Sequence, residues 1–287
     1  MILLQLLING IVTGCALGVV AISFSLIYST TRIFHVAHAG VYTLAGYIAW
    51  SLSTHGVPSL LSLLGAVGVC AVVGALIQHQ LYHRLERRRA SHLVVLIASL
   101  GTLAVMQNLI AGIYTPNILQ FHISWSQGTM RLGGVLLSYA QILTVLMGIA
   151  AYAGMMYFAH RTMLGKRIRA VASNPFLAEI TRLEPKTVYV IVIAIASAIV
   201  ALPGVLVPLD LGLQPYGGIG ALLTATIAMI AGGVGSITGA FVLAIVIAEL
   251  QNMSLLFIPG EWSIGVTFFI FVIFMLFRPT GLFAAAR

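Results

Sequence analysis

TVYVIVIAIASAIVALPGVLV, residues 187–207, runs for twenty-one positions without a charged side chain. As a helix, about 20 such residues at 1.5 Å each match the roughly 30 Å hydrocarbon core of a bilayer. Working outward, comparable apolar runs lie at 2–29, 34–52, 58–81, 93–113, 134–158, 218–233, 236–253 and 262–277. Of 287 residues, 60% are hydrophobic, and the mean hydropathy is +1.08. That composition excludes a soluble fold. It predicts an all-α, polytopic helical membrane protein of eight to nine crossings, a single transmembrane domain spanning 1–287. The runs 34–52 and 218–233 are short and glycine-rich, as expected of broken or re-entrant helices. A long–short–long order over 2–81 recurs over 187–253 with the opposite entry face, a weak inverted repeat of the kind transport proteins carry.

Immediately before the opening span stands a polar island. Residues 161–186 hold eight of the twenty charged side chains in the chain. If all nine runs cross, thirteen of the fourteen lysines and arginines face one side and only Arg131 the other. The positive-inside rule then places the island, about 160–187, and the C-terminus in the cytoplasm and the N-terminus outside. Within the island Asn174 is an N-cap, Pro175 suits the first helical position and Pro185 closes the segment. The spacing predicts a helix of about two and a half turns with Phe176, Leu177, Ile180 and Leu183 on one face and Glu179 and Arg182 elsewhere. Too short to hold alone, such a helix rests either on its own protein and the lipid headgroups or in a groove on a partner. No Gly-x-x-x-x-Gly-Lys-Ser/Thr motif occurs, so the chain is expected to bind no cofactor itself and any ATP falls to another subunit.

Four stretches, in order, resemble the permease subunits of branched-chain amino acid ABC importers, the LivH-like half of the pair. They are NGIVTGCALGVVAISFSLIYSTTRIFHVAHAGVYTLAGY from Asn9, LGKRIRAVASNPFLAEI from Leu164, AGGVGSITGA from Ala231 and FRPTGLF from Phe277. The resemblance implies a bacterial inner-membrane importer. Its expected partners are a second, LivM-like permease, two cytoplasmic ATPase subunits that hold the ATP, and an extracytoplasmic solute-binding protein. It makes the island the ATPase-coupling loop, with Lys166, Arg167, Arg169, Asn174, Pro175, Phe176, Leu177, Ala178, Glu179, Ile180 and Arg182 as its surface. Departures from the family pattern are His35-Val36-Ala37-His38-Ala39 for Asn-Phe-Ala-His-Gly, Leu17-Gly18 for Tyr-Ala, and Arg182 for a glycine. Branched-chain amino acids, other amino acids, urea and short amides all fit the resemblance.

His35 and His38 share a helical face and either line the pathway, act as a pH-responsive gate or bond backbone near the interface. Glu249, an acid inside an apolar run, faces protein or water because a bilayer carboxylate is costly; it serves a permease contact or the solute path, or is protonated or snorkelling. Tyr42, Thr224 and Thr226 are candidate lumen groups. Gly14, Gly18, Gly232, Gly233, Gly235 and Gly239 are expected to let helices approach closely. His79 and His83 read as interfacial side chains, since two ligands do not make a zinc site. Cys15 and Cys70 read as small core residues. Val12-Thr13-Gly14-Cys15 resembles a lipoprotein cleavage box, but the apolar run continues through it and a first membrane helix is expected. No aromatic-interleaved basic patch points to nucleic acid, and no triad or metal motif points to catalysis. The main rival is an ion- or proton-coupled secondary transporter, which would have to rely on Glu249 and the histidines. An intramembrane enzyme or channel comes third.

Overall fold

The computed structural model describes residues 2–121, 123, 126, 128–132, 134–278 and 281–283. Arg287, counted above toward the orientation, and Pro279 and Thr280 of the last motif lie outside them. The helices are α1 (Ile2–Thr31), α2 (His38–Thr54), α3 (Ser59–Ile77), α4 (His83–Arg87), α5 (His92–Tyr114), α6 (Tyr139–Arg161), α7 (Met163–Ser173), α8 (Pro175–Ile180), α9 (Pro185–Leu211), α10 (Gly218–Gly232), α11 (Ile237–Ser254) and α12 (Ser263–Phe277). One π-helical turn, Gln78–Tyr82, joins α3 to α4 into a single rod, and a 3₁₀ turn, Gly260–Trp262, precedes α12. Seven helical stretches among the described residues are long and apolar enough to cross a membrane. The two short runs are α2, of 17 residues, and α10, of 15. At 1.5 Å per residue, α10 extends only about 22 Å.

The expected run 134–158 does not begin as a helix. Val135–Ser138 is a strand, β2, paired antiparallel with β1, Thr129–Leu132. Gly134 bends the hairpin at a φ of +91°, a conformation glycine takes without cost. Ser138 then ends the strand and starts α6 with a capping box: its Oγ accepts the Gln141 N–H at 3.1 Å, and Gln141 Oε1 accepts the Ser138 N–H at 3.1 Å.

In lipid, burying an apolar face gains little, because the tails are as apolar as leucine; helices associate by close packing. The deepest seam is between α1 and α11. A Cβ on Gly10, Gly14 or Gly18 would fall 2.5–2.6 Å from Glu249, Ile245 or Phe241 respectively. As one number rises by four the other falls by four, so the helices run antiparallel. Gly232, ending α10, and Gly239, opening α11, press backbone on backbone. On the other half, a Cβ on Gly74 of α3 would lie 2.7 Å from the Ser197 Cβ of α9, and one on Gly46 of α2 would lie 2.7 Å from the Gly204 carbonyl of α9. Thus α1 packs on α10 and α11, α9 packs on α2 and α3, and α1–α9 and α2–α10 also touch. Exchanging α1 with α9, α2 with α10 and α3 with α11 maps this pattern onto itself, so the two halves repeat one set of contacts.

Candidate functional site

Two places concentrate polar chemistry, one at each end of the bundle. The ends of α1 and α6, the turn between α10 and α11, the start of α11 and helix α7 gather around one crevice lined by Ser29, His160, Arg169 and Gly235. This is the basic end.

At the basic end the island forms two helices rather than one. Thr162 caps α7, which turns Gly165, Ile168 and Val171 inward. Asn174 caps α8, its Oδ1 accepting the Leu177 N–H at 3.1 Å, with Pro175 at the first position. The helix is six residues long, shorter than the two and a half turns expected. Its stop is a Schellman motif: the Arg182 N–H bonds the Glu179 carbonyl at 3.0 Å and the Leu183 N–H bonds the Ala178 carbonyl at 3.0 Å. Arg182 takes the left-handed φ of +61° that this motif requires, a conformation that glycine adopts without cost. The reversal also turns Leu183 inward to pack beside Ala178, away from the face expected to carry it. Phe176, Leu177 and Ile180 remain outside, 71%, 57% and 65% exposed. Arg32 and Arg89 end α1 and α4 in the same left-handed conformation, at φ of +58° and +52°. All three thereby set a cation at a helix C-terminus, where the macrodipole favours it. Lys166, Arg167 and Arg169 are exposed on α7, and Glu179 on α8.

At the opposite end a cavity of about 440 Å³ opens between α1, α2, α6, α9, α10 and α11. Its walls include Ala16, Leu17, Val20, Leu206 and Val207, and its polar groups include Asn9, Gln141, Asp210 and Asn252. Tyr42, 9% exposed, lines it and also lines a smaller recess of about 170 Å³ beside Thr43 and Gly217. Gln141 Nε2 donates to Asp210 Oδ2 at 3.0 Å. Asp210, Gln141, Asn9 and Asn252 were not among the sequence candidates. The available signal was that Asp210 is the single aspartate of the chain, at the end of an apolar run.

Tyr42 is the one sequence candidate on this lining. His35 and His38 lie off it and are wholly buried. His38 sits one turn from Tyr42 on α2, and its Nε2 meets Ser23 Oγ at 2.9 Å. Ser23 in turn donates to the Val20 carbonyl at 2.8 Å, so His38 Nε2 is the donor and Nδ1 the bare acceptor. His35 Nδ1 meets Tyr82 Oη at 2.6 Å, and Tyr82 donates to Ser99 Oγ at 2.8 Å, which also accepts the Ala37 N–H at 3.0 Å. By the same logic His35 Nε2 is an acceptor. Among the described residues neither of these two nitrogens has a partner. The first set ties α1 to α2 one turn from Val20, which lines the cavity, and the second ties the residues just before α2 to the π turn and α5.

Thr224 and Thr226 are buried on α10 off the cavity lining, and Glu249 lies in the α1–α11 seam against Gly10, its Oε2 without a partner among the described residues. Gly233 and Gly235 form the α10–α11 turn at φ of +100° and +88°. Cys15 packs in the interior of α1 against Gly148, and Cys70 is buried near the Val41 carbonyl. His79 and His83 stack with ring centroids 6.2 Å apart.

A family model described as branched-chain amino acid transport system / permease component matches residues 6–275. The high-affinity branched-chain amino acid transport system permease protein BraD of Pseudomonas aeruginosa is 26% identical, over 97% of this chain and 95% of its own. The corresponding LivH of Escherichia coli is 23% identical over 97% and 94%. The xylose transport system permease protein XylH of Escherichia coli is 35% identical over a shorter region, 38% of this chain and 30% of its own. Among solved structures, PsaBC from Streptococcus pneumoniae in complex with Fab shares the fold, with a TM-score of 0.53 at 14% identity, over 96% of this chain and 91% of that one.

Proposed function

Because the chain belongs to the family of branched-chain amino acid transport system permease components, we propose that it is the membrane half of an ATP-driven importer for branched-chain amino acids or a related small polar solute. On this reading ATP is bound and hydrolysed by two cytoplasmic ATPase subunits, a second permease completes the pathway, and an extracytoplasmic binding protein delivers the solute. The chain lies in a bacterial inner membrane with the basic end inside. BraD and LivH are named as permeases of high-affinity branched-chain amino acid systems, which supports the solute class.

The observation that carries the coupling is the α8 knob. Phe176, Leu177 and Ile180 stand in the open while Ala178 and Leu183, one turn away, anchor the same segment to the bundle. A recess of about 750 Å³ beside them is rimmed by Glu86, Glu179, Arg182 and Lys186. An apolar tip ringed by both charge signs suits insertion into a groove on a protein partner, and its rigid anchoring lets a push on α8 reach α9.

At the far end lies the cavity, and off its lining lie two buried hydrogen-bonded sets, Ser23–His38 and His35–Tyr82–Ser99, an arrangement suited to one limit of alternating access. The test is uptake in cells carrying the full set of subunits. Uptake lost on ATP depletion with the proton gradient intact supports the proposal; uptake that persists favours a gradient-coupled carrier.

A further inference from the structure

We propose that the cavity at the Asp210 end is a solute-binding subsite for the ammonium group and aliphatic body of a small amine-bearing solute. The inference rests on the transport reading above and adds the residues that hold the cargo within this chain.

The argument starts from charge. Asp210 sits in the last turn of α9, where the helix macrodipole disfavours an anion, in a chain whose formal net charge is +8. Yet among the described residues no salt bridge includes it, and no lysine or arginine lines the cavity. Its partner is the neutral amide of Gln141. That amide cannot turn round, because Gln141 Oε1 is taken by the Ser138 N–H in the capping box. Gln141 is thus a positioning residue: it holds Oδ2 of Asp210 and leaves Oδ1 for a further donor. An acid that is oriented and has no cation beside it fits a ligand that supplies the cation itself.

The second observation is independent. Tyr42 is about nine-tenths buried, borders the same cavity from α2, and its hydroxyl has no hydrogen-bond partner among the described residues. A hydroxyl that opens on a cavity and is not taken by the protein is free to bond a polar group of the solute. Between Asp210 and Tyr42 the walls are aliphatic, including Leu17, Val20 and Val207. The volume of about 440 Å³ lies within the roughly 300–1,000 Å³ of small-molecule sites. The arrangement is one exposed anion, an aliphatic wall, and neutral polar groups that include the Tyr42 hydroxyl and the amides of Asn9 and Asn252.

The assembled transporter, purified in lipid nanodiscs without nucleotide, would be titrated with tritiated leucine and challenged with two truncated competitors: isopentylamine, which keeps the ammonium, and 4-methylpentanoate, which keeps the carboxylate. Isopentylamine is expected to displace leucine at concentrations at least about tenfold below those needed for 4-methylpentanoate. Asp210→Asn, isosteric and still able to accept from Gln141, is expected to weaken leucine and isopentylamine binding about tenfold or more, and Tyr42→Phe to weaken leucine by a smaller factor.

Equal potency of the two competitors, unchanged affinity in Asp210→Asn, or no saturable leucine binding by the wild type each overturns the subsite. The competition uses the wild type, so a variant that fails to assemble does not blunt it. Should ATP-dependent uptake stand while these binding results fail, the subsite alone is wrong. Should binding succeed while uptake ignores ATP, the importer reading is wrong and the subsite stands.

Discussion

The α1–α11 seam and the α8 knob solve opposite problems with opposite residues. Inside the bilayer, where apolar side chains gain nothing by leaving lipid, α1 removes side chains: Gly10, Gly14 and Gly18 let α11 approach until a single Cβ would collide with it. At the basic end α8 does the reverse and displays three large apolar side chains in the open. The contrast teaches that in this chain packing is marked by what is absent, and partner recognition by what protrudes. Substitution should therefore damage folding at the first and communication at the second.

The largest effect is expected in the seam. Gly14→Val places branched carbons where a Cβ already comes within 2.6 Å of the Ile245 Cα. A backbone neighbour cannot swing away, so a destabilisation of about 3 kcal/mol or more is expected. It is read as loss of monodisperse protein after solubilisation and a lowered thermal midpoint.

Next comes the knob. Phe176→Ala is expected to cut ATP-driven uptake on the order of tenfold, as for a central interface residue, while the thermal midpoint of the chain itself stays at the wild-type value. A fall in the midpoint matching that of Gly14→Val would erase the contrast between the regions.

Smaller effects sharpen the picture. Asn174→Ala removes the α8 cap and is expected to cost about 1 kcal/mol locally. Hydrogen exchange at the Leu177 amide should then accelerate roughly fivefold, with the α1 amides unaffected. Smallest of all is Arg182→Gly. Relief of the left-handed conformation, about 1–2 kcal/mol, is opposed by lost charge at the helix end, about 0.3–1 kcal/mol, and by glycine entropy, about 0.5–1 kcal/mol. The local stability of α8, followed by the same exchange measurement, should move by less than about 1 kcal/mol.

Much of this was legible from local pattern. The span at 187–207 emerged as α9, and the short runs 34–52 and 218–233 emerged as the two short helices. The Asn174–Pro175 start of α8 was readable because a cap uses side chains and amides within three residues. What failed locally failed for a nameable reason: the helical face drawn through Leu183 assumed that α8 continued, and Arg182 in the left-handed region ended it first. The stretch 134–138 has the apolar content of a helix start, but hairpin pairing with 129–132 took it. Asp210 passed unnoticed because its meaning lies in Gln141, 69 positions away, and in Tyr42 on a third helix.

From the amino acids alone came the solvent, the rough bounds of the apolar runs, the basic island and the start of α8, because each depends on hydropathy or on bonds between near neighbours. The tertiary structure decided which glycines face a partner helix, which apolar residues of the island are left bare, and that an acid from α9, an amide from α6 and a hydroxyl from α2 share one cavity. Those facts depend on which helix faces lie against one another, and among so many apolar surfaces only the full packing selects the faces.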